Sequence, residues 1–459
     1  MDYPLWDVAI GGGVLMGIVA IAHVVVSHFA IGGGLVIAVT ETLAVRRGDS
    51  EMRDLAKRSS LVLILVSTVF GAISGVGIWV VAGLISPAAI AALIRNYVWG
   101  WAIEWVFFFI EIAAALIYFN TWNKISKRAH VAIGWIYFVS AYLSLVIING
   151  IITFMLTPGK WLSTGAFWDG FFNPTYWPSL VLRTGITLIM ATAFMVLPAA
   201  GASAEARPRL LRYLGLWLVA GVAVAYAGYR WWEGSLPESI RGLFLGDSPA
   251  LASLADTRSF LLWGLTATLV LGALFLLALP RLPLPRLVPF VLILAAGVCF
   301  FGGYERLREG TRKPFIIHDH MFSNGVRVDE LAKLREDGIL SKARWAAAEA
   351  AVEGGSVGRQ VFRAQCAACH TLDGYLGILD YLPEDPDMIY SVVYVLYDQA
   401  EAFTDLEPGQ AIDKSRLDYP YMPPFAGTEE EMEALVEYLA ELAAGPTEVA
   451  ALDPEGEKR

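Results

Sequence analysis

The chain has 459 residues, of which 56% are hydrophobic and 17% charged, and its mean hydropathy is +0.55. This composition excludes an ordinary soluble enzyme and favours a membrane protein. The formal net charge is −10, and the sequence has no basic patch or phosphate-binding loop, so no nucleic-acid partner is expected.

Apolar runs long enough to cross a bilayer recur through the first three hundred residues. They lie at about 17–45, 60–84, 99–120, 131–156, 177–201, 211–229, 259–280 and 287–304. The sequence therefore predicts an all-α fold, a polytopic transmembrane helix bundle of about eight spans. Gly11–Gly13 are expected to separate a short interfacial helix from the first span, and residues 85–97 to form a surface segment. The first residues lack a basic segment, so no cleavable signal peptide is expected.

Lysine and arginine are concentrated in alternate loops, which sets the orientation of the bundle. The basic residues are Arg46, Arg47, Arg53, Lys57 and Arg58; Lys124, Lys127 and Arg128; Arg207, Arg209 and Arg212; and Arg281 and Arg286. The positive-inside rule places these loops in the cytoplasm, and it places the N-terminus and everything after Tyr304 outside. We expect a multi-pass protein of the bacterial inner membrane, with its C-terminal region on the periplasmic side.

That C-terminal region contains Cys366-Ala-Ala-Cys369-His370, the spacing of covalent haem c attachment. The two cysteines can form thioether bonds to one haem, and His370 is then the axial ligand of the iron. A redox dithiol or half of a zinc site are the alternative readings of Cys-x-x-Cys. The adjoining histidine and the absence of a second cysteine pair favour haem c.

Met422, in Tyr421-Met-Pro-Pro-Phe425, is the candidate sixth ligand. The flanking prolines fix the backbone there, and an amphipathic helix follows from Met432. Together with Gly358–Gly374, these features resemble a small class I cytochrome c. A methionine that merely packs in its loop is the alternative.

Several ionisable residues lie in or beside the spans, where a buried charge is costly and usually functional. His23, Glu104 and Glu309 are all expected near the outer ends of their spans, in the layer nearest the haem c. Glu111 lies seven residues deeper than Glu104, on the same helical face. We interpret the first three as candidate haem-iron ligands and Glu111 as an inward carboxylate. A hydrogen-bonded core residue or an interfacial residue is the alternative for each. Glu41, at the inner end of the first span, is expected to be interfacial.

Residues 18 to about 315 resemble subunit I of the cytochrome bd quinol oxidases. The resemblance is carried first by His23 with Glu41 eighteen residues later, and by Ala102-Ile-Glu104 followed by Phe107-Phe-Phe-Ile-Glu111. His130 at the end of a basic loop and Glu309-Gly-Thr-Arg312-Lys-Pro-Phe315 also match. The resemblance implies an outer-leaflet pair of high-spin haems, of types b and d or b twice. It implies His23, Glu104 and Glu309 as their ligands, and Glu111 as part of a proton route.

The chain departs from this family where the family binds low-spin haem b. Arg183 replaces the histidine ligand and Leu262 the methionine ligand. The external loop that carries quinol chemistry is reduced to about 230–257. We therefore expect electrons to arrive through the haem c, and Arg183 to hold a haem propionate or another anion.

The roles of three histidines and one cysteine remain open. His28 is five residues from His23, about 140° round the helix, so the two cannot face one iron. For His318 and His320 a haem contact, a metal contact and a surface loop are possible, with the loop favoured. Cys299 is expected to pack inside the last span.

The sequence thus predicts a transmembrane domain at 1–315, a linker at 316–355, a small external α-helical cytochrome c domain at 356–447 and an acidic tail at 448–459. The predicted function is respiratory electron transfer, with O₂ or another diatomic reduced at haem b, haem d or both. A non-catalytic electron-transfer subunit of a larger complex is the alternative. The expected partners are a second bd-like membrane subunit and an external electron-transfer protein.

Overall fold

The computed structural model describes residues 3–238, 240–241, 252–278, 280, 285, 287–353, 356–404, 414 and 417–445. They form two compact units. One unit, the membrane unit, comprises Met16–Val80 and Ile90–Lys313. The other, the cytochrome unit, comprises Met1–Leu15, Val81–Ala89 and Pro314–Arg459. The predicted acidic tail at 448–459 and the basic residues Arg281 and Arg286 lie outside the described residues.

Long helices make up the membrane unit. In chain order they are α1 (Gly12–Arg47), α2 (Ser50–Ile64), which continues through a π-helix (Leu65–Gly71) into α3 (Ala72–Ile85), α4 (Pro87–Asn96), α5 (Val98–Asn120), α6 (Lys127–Phe154), α7 (Trp161–Thr164), α8 (Phe167–Phe171), α9 (Tyr176–Ala200), α10 (Arg207–Ser235), α11 (Ala252–Leu277) and α12 (Leu287–Arg312). The outer turns of α1 and α3 belong to the cytochrome unit.

Within the described residues, eight helical segments are long and apolar enough to span a membrane, which confirms the prediction of an all-α bundle of about eight spans. One detail was wrong. Gly12 and Gly13 open α1 itself, and residues 3–11 contain no helix, because the chain crosses Gly11 at a positive φ of 78° directly before the span.

Close helix approach at glycines holds the bundle together. A Cβ on Gly185 of α9 would lie 2.2 Å from the Ala225 nitrogen of α10, and a Cβ on Gly32 of α1 would lie 1.9 Å from the Thr187 carbonyl of α9. Small residues at such crossings let backbones touch, which is how helices associate where water provides no driving force.

The basic loops meet at one end of the membrane unit. Arg209 forms an ion pair with Asp49, Arg58 donates to the Gly201 carbonyl at 2.9 Å, and Arg53 donates to Asn123 at 2.8 Å. These contacts join the first, third and fifth interhelical loops. The predicted grouping of these basic loops on one face is therefore present.

The cytochrome unit contains a hairpin and short helices. The hairpin pairs β1 (Phe315–Ile317) with β2 (Met321–Phe322) in antiparallel fashion. The helices are α13 (Leu331–Asp337), α14 (Arg344–Glu353), α15 (Val357–Gln365), α16 (Pro386–Asp398), α17 (Glu401–Thr404) and α18 (Glu429–Ala443), with 3₁₀ turns at Val328–Glu330, Ile339–Ser341 and Ile378–Asp380.

One hydrophobic core serves this whole unit. Phe322 and Leu331 are buried in the same cluster as Phe362 and Leu435. Residues in the first part of the expected linker, 316–355, therefore share the core of the cytochrome domain. His318 is 4% exposed in the turn of the hairpin, so the expectation of a surface loop was wrong for this residue.

The N-terminal segment also packs in the cytochrome unit. Trp6 N donates to Leu84 O at 3.0 Å, and Tyr375 N donates to Ala9 O at 2.9 Å. The chain before the first span thus contacts both the end of the second span and the loop that follows His370.

Candidate haem sites

The haem c motif follows α15 directly. Cys366 O accepts hydrogen bonds from Cys369 N at 3.0 Å and His370 N at 2.9 Å, which curl the motif into a turn. The His370 Nδ1 lies 3.1 Å from the Leu376 carbonyl, which can only accept, so Nδ1 carries the proton and Nε2 keeps its lone pair. Burial lowers the pKa of His370, so the imidazole is neutral and suited to bind iron.

The alternative readings of Cys-x-x-Cys are disfavoured by this geometry. Burial raises the pKa of the Cys366 thiol to about 12, whereas a redox dithiol has a thiol of lowered pKa. In the described part of the chain, no three His, Cys, Asp or Glu side chains gather into a metal-binding group. A zinc site would need such a group.

The residues around His370 fit a haem. Leu376 and Leu379 are large apolar side chains that stand exposed in the loop after the motif, and the Tyr381 ring lies 6.3 Å from the His370 ring. Apolar side chains of this kind suit the face of a macrocycle. The residues present therefore fit a covalently attached haem.

Gln365 connects the haem motif to the loop of Met422, and sequence reasoning missed it. Its Nε2 donates to Ala426 O at 2.8 Å, and its Oε1 accepts from Ala426 N at 3.2 Å. Phe425 N also donates to Leu396 O at 2.9 Å. The loop that carries Met422 is thus fastened to the residue before Cys366. The sequence held no signal for this contact, because the partner lies 61 residues away.

We expect Gln365→Leu to weaken the link between Met422 and the iron, because two buried hydrogen bonds to the loop are lost at a cost of about 1–3 kcal/mol. The weak red absorption of methionine-to-iron bonding should fade with rising temperature well before the domain unfolds. Met422→Ala should abolish it and lower the reduction potential, since a thioether stabilises reduced iron.

Thr428→Ala is the matched control for the Gln365 variant. Thr428 caps α18 by accepting from Glu431 N at 3.2 Å, and losing such a cap costs about 1 kcal/mol. This variant should lose stability and keep the absorption. An unchanged band in Met422→Ala would move the sixth ligand elsewhere.

In the membrane unit, His23 on α1 faces α3. Its Nδ1 lies 3.1 Å from Ser74 Oγ, and that hydroxyl already donates to Phe70 O at 2.6 Å, so Nδ1–H donates to it and Nε2 keeps its lone pair. A Cβ on Gly75 would lie 3.2 Å from the His23 ring. The π-helix Leu65–Gly71 ends just before these residues, and such segments often mark functional sites. This setting suits an axial ligand.

Glu104 and Glu111 on α5 each accept a hydrogen bond from a hydroxyl group on α6. Ser144 donates to Glu104 Oε1 at 2.8 Å, and Tyr137 donates to Glu111 Oε1 at 3.2 Å. The hydroxyls are seven residues apart, as the carboxylates are, so the two antiparallel helices form two matched pairs. Sequence reasoning found the carboxylates and missed their partners.

Glu309 is bound by its neighbours on α12. Arg312 donates to both of its carboxylate oxygens, at 2.6 and 2.5 Å. No hydrogen bond or ion pair between described residues joins Glu309 to His23 or Glu104. The structure therefore places the three predicted ligands on three helices without a direct contact among them.

Arg183 on α9, which the resemblance sets in place of a low-spin haem ligand, is 2% exposed. It donates to Glu305 Oε1 at 2.8 Å, and Arg308 donates to the other oxygen of Glu305 at 2.8 Å. Sequence reasoning missed Glu305, because only the tertiary fold brings α9 to α12. The predicted anion partner of Arg183 is thus, at least in part, a carboxylate of this chain.

Three buried arginines of this region keep unused donors. Arg183 Nε, Arg308 Nη1 and Arg312 Nε have no hydrogen-bond partner among the described residues. Buried donors of this kind are normally satisfied. They fit the propionates of a haem, as the His23 setting fits its iron.

His28 is 2% exposed, with Nδ1 2.8 Å from the Val24 carbonyl and its ring 5.3 Å from that of Phe301. Its Nε2 has no partner among the described residues. His23 stays the predicted haem ligand, and the role of His28 stays open.

The expectation that Glu41 is interfacial was wrong. Glu41 is 0% exposed and accepts from His130 Nδ1 and Tyr118 OH, both at 2.8 Å. His130 Nε2 lies 2.9 Å from the Tyr118 carbonyl. The start of α6 folds over the end of α1, which covers the carboxylate and pairs it with the histidine.

Two known families match parts of the sequence. Residues 14–228 match the family model of the cytochrome bd terminal oxidase subunit I, and residues 355–439 match that of the cytochrome c oxidase, cbb3-type, subunit III. The chain thus joins a domain similar to cytochrome bd oxidase subunit I to a domain similar to a cytochrome c. It is a respiratory membrane haemoprotein. Glu309 lies outside both matched ranges.

A solved structure described as the bd oxidase from Geobacillus thermodenitrificans is similar to this chain. The TM-score is 0.56 at 16% sequence identity, and the alignment covers 66% of this chain and 87% of that one. At this identity the likeness shows the fold. No curated protein matches the sequence.

Proposed function

We propose that the protein takes electrons from an external donor into a haem c and passes them to outer-leaflet high-spin haem, where O₂ or another diatomic is reduced. The observation that supports this most is the presence of a bd oxidase domain and a cytochrome c domain in one chain. When bound, haem would supply one-electron transfer at the cytochrome site and diatomic reduction at the membrane site.

In this proposal each group of residues has its own role. Cys366 and Cys369 attach haem c, and His370 with Met422 hold its iron. His23, Glu104 and Glu309 are the proposed ligands of haem b, haem d or both. Glu111 holds a proton near them, and Tyr137 orients its carboxylate.

Arg183 supports electron delivery through haem c instead of through a low-spin haem b. Arginine cannot take the place of histidine as an iron ligand, and here it is committed to Glu305. We propose that Arg183 and Arg308 keep a charge-balanced cluster beside the haem propionates.

We propose the cytoplasmic membrane of a bacterium as the location, with the cytochrome unit in the periplasm. The N-terminal segment contacts Leu84 through Trp6 and the loop after His370 through Ala9, which supports one side for the N-terminus, the end of the second span and the haem c. The apolar side chains of α5, including Trp105 and Phe109, stand exposed and suit lipid or a second bd-like subunit. We keep a domain boundary near residue 315, with the cytochrome domain extended to begin there.

The test is O₂ uptake by the purified full-length protein with an ascorbate-reduced mediator, together with haem extraction. We expect uptake that cyanide or CO inhibits, one covalent haem c, and no bis-ligated low-spin haem b in the spans. A protein that neither binds CO nor consumes O₂ would be a non-catalytic electron conductor. A low-spin haem b signal would contradict the assignment of Arg183.

A further inference from the structure

The segment after the haem c motif carries charge of one sign. The fifty residues between Arg363 and Lys414 contain ten Asp and Glu residues and no Lys or Arg. The first five carboxylates stand exposed within fifteen residues. They are Asp373, Asp380, Glu384, Asp385 and Asp387. Among the described residues none of these five forms an ion pair.

The fold keeps this segment beside His370. Ile378 N donates to Thr371 O at 2.8 Å, and Leu379 N donates to Leu372 O at 3.2 Å, which closes the loop upon itself. Asp373 therefore lies within the closed loop that follows His370, Asp380 lies directly after it, and the other three carboxylates follow within seven residues.

Exposed apolar side chains lie between these carboxylates. Tyr375 is 54% exposed and Met388 56%. Aromatic residues and methionine are enriched at the centre of protein interfaces, while charges around them steer the encounter. Exposed apolar side chains interspersed with charges of one sign favour a partner of the opposite charge.

We propose that residues 373–388, the docking face, receive a soluble one-electron carrier whose redox centre is ringed by basic residues. The inference rests on the proposed function, since it requires haem c at Cys366 and Cys369. In the step the carrier is oxidised and the haem c iron is reduced by one electron, and no bond or proton is transferred.

The test measures reduction of haem c in the full-length haem-loaded protein by stopped flow, without O₂ and with a reduced cationic monohaem cytochrome c as the probe. The variant Asp380→Lys/Glu384→Lys changes two charges of the docking face. The control Glu433→Lys/Glu437→Lys makes the same change in net charge on exposed positions of α18.

At about 10 mM ionic strength, where the Debye length is about 30 Å, we expect the docking-face variant to lose at least about tenfold in the second-order rate constant. The control should lose much less. At about 1 M salt, where screening reduces the Debye length to about 3 Å, all three proteins should react alike.

Equal losses in both variants would mean that only net charge matters, and would overturn the proposal. A parent protein that reacts faster with an anionic carrier, or faster as salt rises, would also overturn it. A small uncharged reductant should reduce haem c equally in all three proteins. If it reduces no haem c in any of them, the proposed function itself fails, and the docking inference fails with it.

Discussion

His23→Ala should lose the non-covalent haem of the membrane unit and at least about 99% of O₂ uptake, while haem c stays attached. Even the partners that orient a ligand typically contribute about 10–100-fold to metal affinity, so loss of the ligand itself should cost more. Ser74→Ala tests the orienting bond, because Ser74 Oγ accepts from His23 Nδ1 at 3.1 Å. It should weaken haem retention by about 10-fold or more.

His28→Ala is the control for this prediction. It lies on the same helix and is fully packed, so it should lower stability without removing haem. Haem content is measured as extractable haem per covalent haem c, which corrects for the amount of protein. If His28→Ala loses the haem and His23→Ala keeps it, the assignment of the two histidines is reversed.

The spans could be predicted from the sequence because a membrane-spanning helix needs only a long enough run of apolar residues. The run at 99–120 became α5 at Val98–Asn120, and the run at 177–201 became α9 at Tyr176–Ala200. Bilayer thickness fixes such lengths, and backbone groups in hydrocarbon must be satisfied within the helix. The π-helix at Leu65–Gly71 has no comparable signal in the sequence.

The sequence predicted the residues of the candidate sites only where they belong to a local motif. Cys366 to His370 is local, so its spacing sufficed. Glu305 and Gln365 act through partners 122 and 61 residues away, and nothing in a single sequence connects them. Glu41 was misjudged for the same reason, since its position at the end of α1 says nothing about His130 folding over it.

The pairing of carboxylates with hydroxyls along α5 and α6 predicts how protons reach the membrane site. Glu104 and Glu111 lie two helical turns apart on one face, each accepting from a hydroxyl of α6. Reduction of a diatomic consumes protons, and a carboxylic acid can hold and release one where a primary amide cannot. Glu111 is the deeper carboxylate and the candidate carrier from the inner side.

Glu111→Gln should therefore slow O₂ turnover by at least about tenfold, because general acid–base groups typically contribute about 10²–10⁴-fold. The amide oxygen can still accept from Tyr137, so haem content and CO binding should be unchanged. Tyr137→Phe removes the hydroxyl and leaves the carboxylate, so its effect should be smaller. Glu104→Gln, which alters a proposed ligand, should instead change the haem spectrum.

Two measurements separate proton delivery from electron delivery in these variants. Reduction of haem c by a small mediator should be as fast in Glu111→Gln as in the parent protein. Proton uptake in liposomes, followed as alkalinisation on the side of the basic loops, should slow in step with O₂ consumption. Normal turnover of Glu111→Gln would mean that protons reach the haem without this carboxylate, and the route would then have to be sought from the outer side.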